Sequence, residues 1–230
     1  MDEEVYRDEE RLDIGGAVSY GWRAMVDNIF YFVVLGLIFL VVEAIFYVPG
    51  SFAVKYPYIS AILGVIGLLI AVYIHLAITV ISLKVYAGEE PKFGDIFAGN
   101  RYYWRFLGAD ILYGLLVLVG LILCVIPGIY FAIKYHFYGY LIVDQDMGVM
   151  DSLKKSGDIT RGAWWDLLLL FILFWLISLG GLILCGIGVL FAWPIVFMGL
   201  VYAYKRILDT APREVAPGPV GPPGPPIAPA

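Results

Sequence analysis

The stretch Gly-Leu-Ile-Leu-Cys occurs twice in the chain, at residues 120–124 and again at residues 181–185. The two copies lie 61 residues apart, and the same offset aligns Tyr103-Trp104 with Trp164-Trp165. These aromatic pairs begin the two apolar runs that end in the repeated stretch. Each run is long enough to cross a membrane as a helix. The repeat therefore predicts that the second half of the protein is one helical hairpin used twice.

The composition of the 230-residue chain indicates that lipid covers much of its surface. Hydrophobic residues make up 61% of the chain and charged residues 15%, whereas a soluble domain has about 45–50% and about 25%. A helix rises about 1.5 Å per residue, so about 20 residues cross an apolar core about 30 Å thick. We predict an all-α polytopic membrane protein with six spans, at residues 28–48, 59–85, 103–126, 129–143, 163–184 and 189–208.

The six spans are predicted to form three hairpins with tight bends. The bends carry the helix-ending residues Pro49-Gly50, Pro127-Gly128 and Gly186-Ile187-Gly188. A short segment of mixed polar and apolar residues precedes each hairpin, and we expect these segments to be interfacial helices on the cytoplasmic side. The predicted hairpins cover residues 28–85, 103–143 and 163–208.

Two terminal segments differ in composition from this single membrane domain of residues 12–210. Residues 1–11 form an acidic head, and residues 211–230 hold most of the 13 prolines. The tail is predicted to be extended and disordered. The head lacks a basic region followed by a short apolar core, so we expect no cleaved signal peptide.

The basic residues predict the orientation of the chain in the membrane. Of the 15 lysines and arginines, 13 lie near or beyond the open ends of the three hairpins, and the other two are Lys55 and Lys134. By the positive-inside rule both termini are cytoplasmic, and the acidic head does not change this because the rule counts lysine and arginine.

The segment Ser152-Leu-Lys-Lys-Ser-Gly-Asp-Ile-Thr-Arg-Gly-Ala-Trp-Trp-Asp166 resembles the signature of the YciC-like membrane proteins of bacteria and archaea. These are similar to the membrane domain fused to some glycerophosphodiester phosphodiesterases. The segments Cys124-Val-Ile-Pro-Gly-Ile-Tyr130 and Ala17-Val-Ser-Tyr-Gly-Trp22 resemble further motifs of this group, while Gly157 stands where its tryptophan usually stands. The resemblance covers about residues 14–208 and implies a six-span protein of a prokaryotic plasma membrane without a settled biochemical role or catalytic residues.

Two ionisable residues lie near the predicted outer bends. Glu43 in the first span and Lys134 in the fourth are both expected about 10 Å below a bend, at the rise of a helix. Ionisable groups inside a membrane are costly and are functional hypotheses by default. A structural Glu43–Lys134 ion pair is the favoured interpretation, and a transport gate or substrate contact is the alternative.

A second candidate set consists of His75, Asp110 and His136, roughly 10–15 Å from the cytoplasmic boundary. Two imidazoles and a carboxylate that converge can hold a metal or pass protons. These residues come from three spans with no close spacing motif, so hydrogen bonding to neighbouring tyrosine, serine or threonine is the favoured interpretation. We predict no metal and no cofactor.

The sequence carries no phosphate-binding glycine loop, no His-Glu-x-x-His, no Gly-x-Ser-x-Gly and no Cys-x-x-Cys. We therefore expect a non-enzymatic scaffold, accessory subunit or membrane-organising protein. Its partners would be the bilayer and a membrane protein or a second copy, with no nucleic acid. A small-solute or ion transporter using the polar residues above is the alternative, and an intramembrane lipid-modifying enzyme comes third. For Cys124 and Cys185, a disulfide and two separate thiols both remain open.

Overall fold

The computed structural model describes residues 12–52, 57–183 and 187–210, with side chains throughout except at residues 43–52, 57, 60 and 187. Within these ranges the chain is all-helical and has no strand, as its composition predicted. Two 3-10 turns, Phe93–Phe97 and Asn100–Tyr102, connect α3 to α4. The nine α-helices of the described residues are α1 Ile14–Asp27, α2 Ile29–Phe52, α3 Pro57–Tyr86, α4 Tyr103–Leu123, α5 Val125–Lys134, α6 Tyr138–Gln145, α7 Val149–Ile159, α8 Trp164–Ile183 and α9 Ile187–Thr210.

Several of these helices are long and apolar enough to cross a membrane. By length and composition the described residues hold four such stretches, Ala61–Tyr86, Phe93–Leu123, Trp164–Ile183 and Gly188–Thr210. A fifth is present if Ile14–Asp27 and Ile29–Val42, which meet at a 90° bend, count as one broken span. The chain is thus a helical membrane protein whose described residues hold four or five candidate spans, where the sequence predicted six.

The predicted fourth span, residues 129–143, is not one helix. It is divided between α5 and α6, with a break at residues 135–137. The N–H of Phe137 donates to the Ser156 hydroxyl (3.1 Å) instead of continuing the helical hydrogen bonds. The helix predicted here is therefore interrupted, because a side chain from another helix replaces the backbone partner at this point.

Glycine pairs allow close approach between the two helices on either side of each repeated stretch. A Cβ added to Gly120 would lie 2.9 Å from the Cα of Gly128, and one added to Gly181 would lie 2.8 Å from the carbonyl carbon of Gly188. In both copies the first glycine of Gly-Leu-Ile-Leu-Cys therefore meets the backbone of the following helix. Cys124 is a free, exposed thiol, while Cys185 lies outside the described residues.

Helices α1 and α7 each bury one face against neighbouring helices. Helix α1 buries Ala17 and Gly21 and runs along α9, while its residues Trp22 and Arg23 are exposed. Helix α7 packs on α4 and α6. Its buried residues are Ser152, Leu153, Ser156, Gly157 and Ile159.

Candidate functional site

A hydrogen-bonded polar cluster joins three helices around Asp110. The Tyr138 hydroxyl, on the first residue of α6, donates to the Asp110 carboxylate on α4. From α3, the Nδ1 of His75 lies 3.5 Å from the Oδ1 of Asp110. Phe106, one turn before Asp110, packs against the edge of the His75 ring (centroids 5.1 Å apart) and against Tyr138 (5.8 Å). This aromatic packing fixes the donors around the carboxylate.

The cluster is closed on one side and open on the other. Tyr138 is fully buried, whereas the side chains of His75 and Asp110 remain 41% and 29% exposed. Their outer neighbours, Ala71 and Ile111, are exposed as well. Both α3 and α4 contribute candidate spans, so the pair lies on the sides of helices long and apolar enough to cross a membrane. Polar groups in such a position are costly unless something pairs with them.

His136 points away from this cluster. Its ring packs against Phe171 of α8, with centroids 4.7 Å apart. It lines a largely apolar groove of about 440 Å³ between α5 and α8, together with Tyr113 and Trp175. Among the described residues, no group of three or more His, Cys, Asp or Glu side chains is arranged to hold a metal ion. The structure thus brings His75 and Asp110 together and leaves His136 apart.

The predicted Glu43–Lys134 pair falls partly outside the described residues, because the side chain of Glu43 is not among them. The Lys134 ammonium lies between two tyrosine rings, 5.3 Å from the centroid of Tyr130 and 5.4 Å from that of Tyr135. Cation–π contacts of this kind stabilise an ammonium group away from water. Two aromatic faces therefore surround the Lys134 charge at the end of α5.

Helix α7 supplies the polar groups that satisfy the break between α5 and α6. The Ser156 hydroxyl accepts from the N–H of Phe137 (3.1 Å) and donates to the carbonyl of Lys134 (3.1 Å). Thr160 donates to the same carbonyl (3.0 Å). Both side chains are buried. Non-helical backbone at membrane depth is tolerated when protein groups bond it, and α7 does this here.

The sequence did not single out Tyr138, Ser156 or Thr160 as parts of the site. The sequence placed Tyr138 among several tyrosines near His136, but nothing local distinguished it as the donor to Asp110. Ser156 and Thr160 lie in the polar segment expected at the membrane surface. The available signal was their spacing of four residues, which puts both hydroxyls on one face of a helix.

Ion pairs gather at the polar ends of the long helices. Lys84 near the end of α3 bonds Asp95 (2.6 Å), and Lys205 near the end of α9 bonds Asp144 (2.8 Å). Arg105 at the start of α4 bonds Asp146 (2.8 Å), just beyond α6. These pairs connect the polar ends of α3, α4 and α9 to the turn at Asp95 and to the end of α6.

The helices and the half-open polar pair define the class: a helical membrane protein with a polar contact within its apolar helices. The chain is similar to an uncharacterized protein of Mycobacterium bovis and to one of Mycobacterium tuberculosis. Each is 31% identical over 182 residues, which cover 72% of this chain and 52% of the relative. The chain thus spans about half the length of these curated relatives. No family model matches the chain, and no solved structure matches it.

Proposed function

We propose that the chain is a non-enzymatic, multi-pass membrane protein that acts through packing, as a scaffold or accessory subunit. Its docking point for another membrane helix is the half-open pair of His75 and Asp110. The observation that carries this proposal is the exposure of both side chains, 41% and 29%, on the sides of apolar helices. A helix that presents a polar group there removes the pair from lipid.

The surface before His75 suits close helix packing. Gly64, Gly67 and Ala71 precede it on α3 and border an open space of about 240 Å³ that reaches Val42 of α2. Small residues let helix backbones approach closely in membranes, and polar side chains then bond across the interface. Each such interhelical hydrogen bond contributes about 0.6–2 kcal/mol. The partner is a second copy of the chain or a different membrane protein.

The orientation and the span count belong to the same proposal. Lys84, Arg105 and Lys205 all lie at the polar ends of α3, α4 and α9, which supports a cytoplasmic location for these ends by the positive-inside rule. Both termini would then be cytoplasmic, in the plasma membrane of a prokaryote, with the six spans that the resemblance to YciC-like proteins implies.

Replacing Asp110 with leucine is expected to weaken association about 3- to 30-fold, since one interhelical hydrogen bond contributes about 0.6–2 kcal/mol. Asp110→Asn keeps the shape and an acceptor oxygen, so this variant should still associate. The measurement is native mass spectrometry of the chain and its bound proteins after extraction in a mild detergent.

Asp27→Leu is the control for this experiment, because it removes an exposed carboxylate at the end of α1. His75→Leu is a second test, since His75 is the more exposed partner and is less tied to the interior. Thermal unfolding identifies any variant that fails to fold. A wild-type chain that is monomeric and carries no stoichiometric protein would contradict the proposal.

A small-solute or ion transporter is the second candidate, and the break at residues 135–137 is the observation that favours it. Secondary transporters bind substrate at discontinuous helices. In this chain Ser156 and Thr160 already bond the backbone at the break, which leaves fewer groups for a ligand. Flux in proteoliposomes that Asp110→Asn abolishes without loss of assembly would favour the transporter.

A further inference from the structure

A pocket of about 420 Å³ lies where the polar ends of α3 and α6 meet the connection into α4. Val80, Leu83 and Val143 form apolar walls, and Lys84 and Arg101 bring positive charge. Along α3 the apolar residues precede Lys84, so they lie toward the span, while the charge lies toward its end at Tyr86. The pocket is therefore apolar toward the candidate span and charged toward the end of the helix.

Arg101 is held in place by its neighbour without losing its charge. Its guanidinium lies 4.4 Å from the ring centroid of Tyr102 and donates to the Tyr102 hydroxyl, and Tyr102 is buried. Across the part of the chain that the structure describes, no carboxylate lies within ion-pair distance of Arg101. The guanidinium is thus fixed and available to an anion.

The carboxylates around the pocket already have basic partners. Asp95 bonds Lys84 at 2.6 Å, and Asp144 bonds Lys205 at 2.8 Å. Glu89 is exposed and lies 3.9 Å from the Lys84 ammonium. Asp95 and Asp144 are therefore held in tight ion pairs, whereas Arg101 has no carboxylate partner among the described residues.

We propose that this pocket binds the phosphate group of a phospholipid, with Arg101 as its ligand. The planar guanidinium fork matches two phosphate oxygens. Basic pockets between helices at the membrane surface bind lipid head groups in this way. Val80, Leu83 and Val143 then contact the glycerol and the first acyl carbons. A soluble phosphate has the same anionic chemistry but makes no use of these apolar walls.

The test is native mass spectrometry of the full chain, delipidated in mild detergent and then supplied with defined lipids. Wild type is expected to retain one phosphatidylglycerol and to release diacylglycerol, which lacks the phosphate. Arg101→Gln should retain phosphatidylglycerol about tenfold less, the loss expected for one charge-assisted hydrogen bond. The control Arg23→Gln removes an exposed arginine on α1 and should bind lipid like wild type.

Two further measurements keep the proposal falsifiable. Ala98→Trp narrows the pocket without changing its charge and should also lower retention, while thermal unfolding verifies that each variant folds. Equal retention of diacylglycerol, or undiminished retention by folded Arg101→Gln, would overturn the proposal. Displacement of the lipid by millimolar inorganic phosphate would assign the site to a soluble anion instead.

Discussion

Replacing Gly181 with alanine is expected to destabilise the contact between α8 and α9 by about 1–3 kcal/mol, the usual cost of overpacking. The new methyl group would lie 2.8 Å from both the carbonyl carbon and the carbonyl oxygen of Gly188, and 3.1 Å from the nitrogen of Val189. All three are backbone atoms, so no side-chain rotation relieves the clash. The two helices must separate or shift, and every contact along them is then affected.

The neighbouring residue is a matched control for this change. A Cβ at Gly180 meets nothing within 4 Å, and alanine is favoured over glycine inside a helix by about 0.5–1 kcal/mol. Gly180→Ala should therefore be neutral or slightly stabilising. Denaturant titration in mixed micelles, followed by tryptophan fluorescence, measures both free energies of unfolding. Equal values for the two variants would show that the close contact at Gly181 does not contribute to stability.

The same experiment on α4 tests whether the repeated stretch has one structural role. Gly120→Ala places a methyl group 2.9 Å from the Cα of Gly128, while Gly114→Ala enters open space. If both copies act alike, the Gly120 and Gly181 variants lose similar stability and the Gly114 and Gly180 variants lose none.

The long helices could be predicted from the sequence because their ends depend on local chemistry. Helix α3 ends at Tyr86, where the apolar run gives way to Gly88, Glu89 and Glu90. The predicted span of residues 59–85 differs from it by only a few residues. Such a boundary needs no knowledge of what packs against the helix.

The predicted bends were less accurate. Helix α4 ends at Leu123, before the predicted residue 126, because the backbone is extended at Cys124. Pro127-Gly128 lie inside α5 and Pro49-Gly50 inside α2, so the prediction that these pairs end helices is wrong.

The candidate site could be predicted only in part. The sequence indicates how deep a residue lies along its span, but it does not indicate how each helix is rotated about its own axis. Counting residues from the predicted ends of their spans placed Asp110, His75 and His136 at similar depths. Which face each side chain occupies depends on how the helices rotate against one another, and apolar residues surround these helices on all sides. Asp110 turns toward His75 and Tyr138, whereas His136 turns toward Phe171.

The position of α7 also required the three-dimensional structure. Its polar sequence indicated a helix at the membrane surface, yet Ser152, Ser156 and Thr160 are buried. A Cβ at Gly157 would lie 3.0 Å from the Tyr135 ring and 3.1 Å from the Lys134 side chain, so the helix sits close against the break. Burial of Ser156 and Thr160 is favourable because the broken helix leaves backbone groups that need partners.

Replacing Ser156 with alanine is expected to cost about 1–3 kcal/mol of stability, the penalty for leaving a buried polar group without a partner. The change removes the acceptor for the N–H of Phe137, and Phe137 is fully buried, so water does not replace it. The carbonyl of Lys134 loses one donor but keeps Thr160. The N–H of Phe137 is therefore the buried group that is left without a hydrogen-bond partner.

Ser152→Ala is the matched control, because Ser152 is equally buried on α7 but bonds only a carbonyl of its own helix, that of Val149 at 2.8 Å. Ser152→Ala leaves no buried N–H without an acceptor, so it should cost less than Ser156→Ala, about 0.5 kcal/mol, the low end of the net contribution of a hydrogen bond. Adding Thr160→Val to Ser156→Ala removes both donors to Lys134, so the double variant should lose more than the sum of the two single losses. If the losses in the double-mutant cycle are strictly additive, or if Ser152→Ala and Ser156→Ala lose equal stability, the hydrogen bonds from Ser156 and Thr160 do not stabilise the break between α5 and α6.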